Sequence, residues 1–141
     1  MPAELQRRHP GLRGDALTAE VERYWSAPSA DETAPAPHAT GGAIDLTLRR
    51  IGGDPLWMGS LFDDVTALAN RDRFERLDAE NFSFSDQEAQ ANRRLLHWLM
   101  LAEGFAGHPD EWWHFSWGDQ MWAALTGAPH AHYGLAISEP A

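Results

Sequence analysis

The sequence contains no cysteine. Disulfide bonds and thiolate metal sites are therefore excluded, and any bound metal must be held by histidine, aspartate, glutamate or water. The chain does contain seven histidines among its 141 residues. A metal site built from nitrogen and oxygen ligands is therefore possible.

Basic residues are also scarce. Lysine and arginine together number 11 against 21 aspartates and glutamates, which gives a formal net charge of -10 at pH 7. Proteins that bind nucleic acids need a basic surface to neutralise the phosphates, so we expect no nucleic-acid partner.

Long apolar runs are missing as well. No segment approaches the ~18 consecutive apolar residues of a membrane-spanning helix, so no membrane partner is expected. The first ten residues, MPAELQRRHP, lack the apolar centre of a signal peptide. If Met1 is the true start, these features predict a soluble protein located in the cytoplasm.

The sequence does contain enough apolar residues for one packed domain. Hydrophobic residues make up 43% and aromatic residues 11% of a chain whose length fits a single domain. We expect a helical N-terminal segment with a Pro/Ala-rich loop over residues 1–37, a core over 38–125 and a C-terminal tail over 126–141. The predicted N-terminal helices span residues 2–9 and 15–26.

A strand is predicted over residues 41–51, GGAIDLTLRRI, where aliphatic and β-branched residues follow a glycine pair. Ile44, Leu46 and Leu48 would share its apolar face, and Asp45 would point to the opposite face. The turn sequence GGDP comes next and predicts a returning hairpin strand. The segment after the hairpin has no clean period, and we expect a long loop with one or two helical turns.

The clearest helix is predicted over residues 85–105. Ser85 and Glu88 have the spacing of a capping box at its start, and Gly104 stands where a C-terminal cap is expected. The residues predicted to form its buried face are Ala91, Leu95, Leu96, Leu99, Met100 and Ala102.

The fold class follows from the order of these elements. The aromatic segment EWWHFSW (111–117) is predicted to form a strand, and GDQMWAALTG a short final helix. Strands adjoin in sequence rather than alternate with helices. The sequence therefore predicts an α+β fold with a small antiparallel sheet flanked by helices.

Charged and polar residues occur where an apolar core is expected. Asp45 lies among aliphatic residues, and Glu111 and His114 lie among tryptophans. A carboxylate buried without a partner costs several kcal/mol, so Asp45 needs a cation, hydrogen-bond donors or a metal beside it. Each of these residues, taken alone, is more often structural. With His38, placed before the glycine turn, Asp45 and His114 could form a three-ligand site whose open fourth position suits a catalytic zinc.

Glu111 precedes His114 by three residues. Along an ideal strand these two side chains would point to opposite faces, so the chain must bend if both serve one site. With such a bend, Glu111 could accept a proton from water and return it to a leaving amine.

Several motifs resemble one family of enzymes. HATGGAIDLTL matches the pattern His-x-x-Gly-x-Ala-x-Asp, and EWWH matches Glu-x-Trp-His. In this order they resemble the signature of the zinc D-alanyl-D-alanine dipeptidases, the family that includes the vancomycin-resistance dipeptidase. WMGSLFDD, NRRLLHWLMLAEGF and GDQMWA resemble further segments of that family, so the resemblance covers about residues 36 to 125.

The resemblance implies an α+β fold shared with other D,D-peptidases and with the hedgehog signalling domain. It implies one Zn²⁺ per chain, held by His38, Asp45 and His114, with Glu111 as the general base. The implied reaction is hydrolysis of the small dipeptide D-Ala-D-Ala in peptidoglycan metabolism, with zinc-activated water as the nucleophile.

The resemblance also implies a carboxylate near the ammonium end of the substrate. Asp63 and Asp64 both lie in the matching segment, and Asp63 is the better aligned of the two. For either residue, an aspartate that caps the loop is the structural alternative.

The sequence departs from the family near its N-terminus. The family's Asp-Gly-Tyr-Arg-Pro motif, whose arginine is thought to steady the substrate and the developing oxyanion, is absent. Ala36 and Pro37 stand where the family usually carries serines. No family role transfers to the four arginines of the N-terminal segment: Arg7, Arg8, Arg13 and Arg23.

These departures leave alternatives open. The chain is expected to be an N-terminally truncated form of a longer protein, a weakly active or inactive zinc-binding remnant, or a zinc-stabilised binding module. Among enzymes, the alternative to the dipeptidase is a D,D- or L,D-carboxypeptidase that acts on cell-wall peptides.

Overall fold

A computed structural model describes residues 34–136 of the chain. The helices predicted at residues 2–9 and 15–26 lie outside the described residues. The described part contains a three-stranded sheet and two α-helices. These are β1 (Ala43–Asp45), α1 (Phe84–Ala102), β2 (Ala106–Gly107), β3 (His114–Ser116) and α2 (Gln120–Thr126).

The sheet is antiparallel throughout. β3 lies in the centre, with β1 on one side and β2 on the other. In the register between β1 and β3, Asp45 lies opposite His114, and Ile44 lies opposite Phe115. The predicted α+β class with a small antiparallel sheet is confirmed, and its pairing places two predicted site residues side by side.

The hairpin after β1 is also present, although the strand itself is shorter than predicted. Gly52 turns the chain with a φ of 67°, and the Leu56 amide donates to the Leu48 carbonyl at 2.8 Å. Leu46 and Leu48 pack partly buried against the core. The prediction that Ile44 joins them on an apolar face was wrong, because β1 is an edge strand and the Ile44 side chain remains 47% exposed.

Helix α1 begins one residue earlier than predicted, and a different capping box starts it. The Asp86 amide donates to Ser83 Oγ, and the Ser83 amide donates to Asp86 Oδ2, both at 3.1 Å. The predicted pair of Ser85 and Glu88 was wrong by two residues, because two pairs with compatible spacing overlap here. At the far end, Gly104 has a φ of 84° just beyond the helix, as its predicted capping position requires.

The buried face of α1 also differs from the prediction. Ala89, Arg93 and Leu96 are buried, and Met100 packs partly buried against the core. Four residues of the predicted face are exposed instead: Ala91, Leu95, Leu99 and Ala102. An apolar pattern cannot reveal a buried arginine, and it therefore predicts that the apolar residues on the neighbouring face form the core.

The hydrophobic core joins α1, β3 and the long loop between the hairpin and α1. Its buried members are Met58, Ala69, Leu96, Trp112, Trp113 and Phe115. The loop contains two short 3-10 turns, Arg73–Glu75 and Ala79–Asn81, as predicted. Within residues 34–136, neither helix has the length and apolar character needed to cross a membrane.

Candidate metal centre

The candidate site begins at a 3-10 turn, Pro37–Thr40, that carries His38. Gly41 follows with a φ of 72°, which reverses the chain towards β1. At Gly42 a side chain would not fit, since a Cβ there would lie 2.7 Å from the Trp117 carbonyl oxygen. The glycine pair thus brings His38 back to the end of β1.

Three side chains converge at this point. His114 Nδ1 lies 3.0 Å from Asp45 Oδ1, and His38 Nε2 lies 3.1 Å from His114 Nδ1. The distance from His38 Nε2 to Asp45 Oδ1 is 3.3 Å. The structure therefore brings together all three residues that were expected to bind metal.

The size of this triangle fits a metal ion. Zinc bonds of about 2.0–2.1 Å in tetrahedral geometry separate neighbouring ligand atoms by roughly 3.3 Å. The three observed separations, 3.0, 3.1 and 3.3 Å, are close to that value. Two imidazole nitrogens and one carboxylate oxygen can therefore form one face of a metal site.

The orientation of His114 favours this arrangement. Its side chain is only 4% exposed, and its Nε2 lies 3.3 Å from the hydroxyl of the buried Ser116. A hydrogen on Nε2 that is donated to Ser116 leaves the Nδ1 lone pair free for a metal. Ser116 was not predicted, although its place two residues along the strand puts it on the same face as His114.

Asp45 is suited to act as an anionic ligand. Burial alone would raise the pKa of its carboxyl. The nearby imidazoles of His114 and His38 outweigh burial and hold the pKa of Asp45 below its ordinary value of 3.8. The carboxylate is therefore ionised at neutral pH.

Glu111 lies on the same side of the site as His114 because the chain bends between them, as predicted. Trp112 and Trp113 form a turn before β3, and the His114 amide donates to the Glu111 carbonyl at 3.4 Å. This turn places Glu111 Oε2 3.7 Å from His114 Nδ1, with the Glu111 side chain 41% exposed. A carboxylate at this distance can exchange a proton with a water held beside the ligand triangle.

The two aspartates of the loop differ in what they bind. Asp64 Oδ1 accepts a hydrogen bond from the Thr66 amide at 2.7 Å, which is the loop-capping role considered above. Asp63 is exposed and has a φ of 57°, an uncommon conformation outside glycine. Among the described residues, the group that could hold a metal consists of His38, Asp45 and His114 and includes neither aspartate.

His108 is a neighbour of the site that was not predicted. Its amide donates to the His114 carbonyl at 3.0 Å, and its ring centroid lies 5.5 Å from that of His114. Burial lowers the pKa of His108, although the charge of Glu111 opposes this effect. No pattern in the sequence indicated that His108 lies close to His114.

The sequence is similar to a family of known proteins. A model of the M15 peptidase family, described as D-ala-D-ala dipeptidase, matches residues 13–133. The chain belongs to the D-Ala-D-Ala dipeptidase family. The match includes the turn with His38, the strand with Asp45 and the segment from Glu111 to His114.

Named members of the family show the same similarity. The chain is 37% identical over 150 residues to a D-alanyl-D-alanine dipeptidase of Synechocystis sp., covering 94% of this chain and 60% of that protein. It is 42% identical over 85 residues to the D-alanyl-D-alanine dipeptidase of Escherichia coli, covering 60% of this chain and 39% of that protein. For the D-alanyl-D-alanine dipeptidase of Enterococcus faecium, identity is 39% over 84 residues, covering 59% of this chain and 37% of that protein. The chain thus spans about 60% or less of the length of these relatives.

Proposed function

We propose that this chain is a zinc-dependent dipeptidase that hydrolyses D-Ala-D-Ala in peptidoglycan metabolism. The observation that carries the proposal is the triangle of His38, Asp45 and His114 atoms with the Glu111 carboxylate beside it. Membership of the family supports the choice of substrate. We extend the proposal to the fold, as one shared with other D,D-peptidases and the hedgehog signalling domain.

In this proposal His38 Nε2, Asp45 Oδ1 and His114 Nδ1 hold one Zn²⁺. No thiolate is available in the chain, and a set of histidines with one carboxylate is typical of catalytic zinc. Zinc bound there would polarise the peptide carbonyl and lower the pKa of a water molecule. Ser116 keeps the His114 ring oriented through its contact with Nε2.

Glu111 acts as the general base. Its carboxylate accepts a proton from the attacking water and returns it to the nitrogen of the leaving alanine. Its closeness to His114 and its partial exposure support this role. At the other end of the substrate, Asp63 is the better candidate to pair with the ammonium group, since Asp64 is already engaged by the Thr66 amide.

A second candidate function is a zinc-stabilised domain with weak or no turnover. A protein without the arginine of the Asp-Gly-Tyr-Arg-Pro motif would be of this kind unless another group supplies the oxyanion donor. One oxyanion-stabilising donor is typically worth about 10²–10³-fold in rate, so this chain should be a slow enzyme if no other donor replaces that arginine.

The test is alanine release by the zinc-loaded chain from D-Ala-D-Ala and from a longer peptide ending in D-Ala-D-Ala. The proposal predicts release from the dipeptide, loss of release in E111Q, and little change in the matched control E88Q, which alters an exposed glutamate of α1. Preference for the longer peptide would instead show a carboxypeptidase. Zinc binding without release from either substrate would show the second candidate.

A further inference from the structure

Arg93 is a buried cation that the proposed chemistry does not use. Arg93 is only 6% exposed. Burial lowers the pKa of its guanidinium to about 10, so the group is still charged at neutral pH. All three guanidinium nitrogens donate to backbone carbonyls: Nε to Met58 at 2.6 Å, Nη2 to Leu68 at 2.7 Å and Nη1 to Asn70 at 2.8 Å.

The three carbonyls come from the two ends of the segment 58–70, the first part of the long loop between the hairpin and α1. Met58 begins this segment, and Leu68 and Asn70 lie at its end, so one planar group binds both ends to α1. The neighbouring Asn92 adds a bond from its Nδ2 to the Trp57 carbonyl at 2.8 Å. The residues between these ends include both candidate substrate aspartates, Asp63 and Asp64.

The same loop packs on the segment that carries the proposed base. Trp112 Nε1 donates to Ser60 Oγ at 2.9 Å, and the Phe62 ring lies 5.3 Å from the Trp112 ring and 5.5 Å from the Trp113 ring. The Arg93 guanidinium carbon lies 5.6 Å from the centre of the Trp112 ring. These two tryptophans separate Glu111 from His114 in the sequence.

We infer that Arg93 is a positioning residue that holds the loop 58–70 against Trp112 and Trp113, and so fixes the substrate side of the site. Arg93 has no direct contact with His38, Asp45 or His114 among its described bonds. The effect of Arg93 on substrate binding rests on the proposed function. Its effect on the position of the loop does not depend on that proposal.

The experiment compares R93K with R94K in the full chain. Lysine keeps the charge at position 93 but lacks the planar fork that reaches three carbonyls. Arg94 is the matched control, because it is the next residue of the same helix and binds Glu75 at the surface. Three quantities are measured for each variant: amide hydrogen exchange in residues 58–70, zinc affinity, and kcat and KM for D-Ala-D-Ala.

R93K should raise exchange in residues 58–70 by about tenfold, as loss of hydrogen bonds to a charged group predicts. Zinc affinity should not change, and KM should rise by a larger factor than kcat falls. R94K should leave all three quantities at their original values. If R93K does not fold, S60A removes the separate hydrogen bond from Trp112 Nε1 to the loop and tests the contact of the loop with Trp112 that the inference requires. It should loosen residues 60–64 without loss of zinc.

Two results would overturn the inference. One is unchanged exchange in residues 58–70 in R93K, or in 60–64 in S60A where R93K does not fold. The other is a loss of zinc affinity that accompanies loosening of the loop. If the original chain releases no alanine, the proposed function fails by itself, while the exchange and zinc measurements still decide the role of Arg93.

Discussion

Replacement of Gly59 by alanine should disturb the loop that Arg93 holds. Gly59 has a φ of +85°, and a Cβ there would overlap the ring of Phe74 and lie 3.0 Å from the Cβ of Ala89. Ala89 is fully buried on α1 and cannot move aside easily. The left-handed backbone costs an alanine about 1–2 kcal/mol, and overpacking of the core adds about 1–3 kcal/mol. G59A should therefore lower the free energy of unfolding by about 2–5 kcal/mol.

Gly52 provides a matched control for this substitution. Its φ of +67° imposes a similar backbone strain, but nothing lies within 4 Å of an added Cβ. In urea denaturation, the free energy of unfolding of G52A should fall only by the backbone strain of about 1–2 kcal/mol, because the overpacking cost applies to G59A alone. Equal losses in the two variants would refute the argument that Phe74 and Ala89 confine Gly59.

The remaining predictions concern the start of α1, the half-buried His97 and the contact between Trp112 and the loop. S83A should cost about 1 kcal/mol of stability by denaturation, whereas S85A should cost a few tenths; the reverse order would contradict the assigned cap. Burial, with the charge of Arg71, lowers the pKa of His97 below 6.5. The unfolded chain then takes up a proton that the folded chain resists, so stability should fall as the pH drops through 6.5 towards the lowered pKa. This loss should be smaller in H97Q, and the same loss in both proteins would be evidence against the assignment. W112F removes the indole donor that lies 2.9 Å from Ser60 Oγ, so its free energy of unfolding should fall by about 1–3 kcal/mol in thermal denaturation. An unchanged free energy of unfolding would show that this bond has no net value.

The approach of His38 to Asp45 could be predicted from sequence because a local glycine turn places it, whereas the approach of both to His114 is long-range and was supported by the family resemblance. The glycine pair returns His38 towards Asp45, and a single antiparallel register then sets Asp45 opposite His114. A bend between Glu111 and His114 was also predicted, as the condition for both side chains to face one site, and the turn at Trp112 and Trp113 provides it. The assignment of catalytic and ligand roles to these residues stays a proposal.

The packing of α1 could not be predicted in the same way. The apolar pattern pointed to Leu95 and Leu99, each of which is 50% exposed, while the buried face contains Arg93. A buried arginine is stable here only because the loop offers three carbonyls within 2.6–2.8 Å. Those carbonyls belong to residues 23 to 35 positions away, and no local pattern carries that information.

Zinc content after purification tests the central claim most directly. The full chain should retain one Zn²⁺ per molecule after dialysis, and H114A should retain none, because it removes the buried ligand of the triangle. H130A is the matched control, since His130 is exposed and lies outside the ligand group of the described residues; it should keep the metal. The account is contradicted if the original chain holds no stoichiometric zinc, or if H114A binds zinc as tightly as the original chain does.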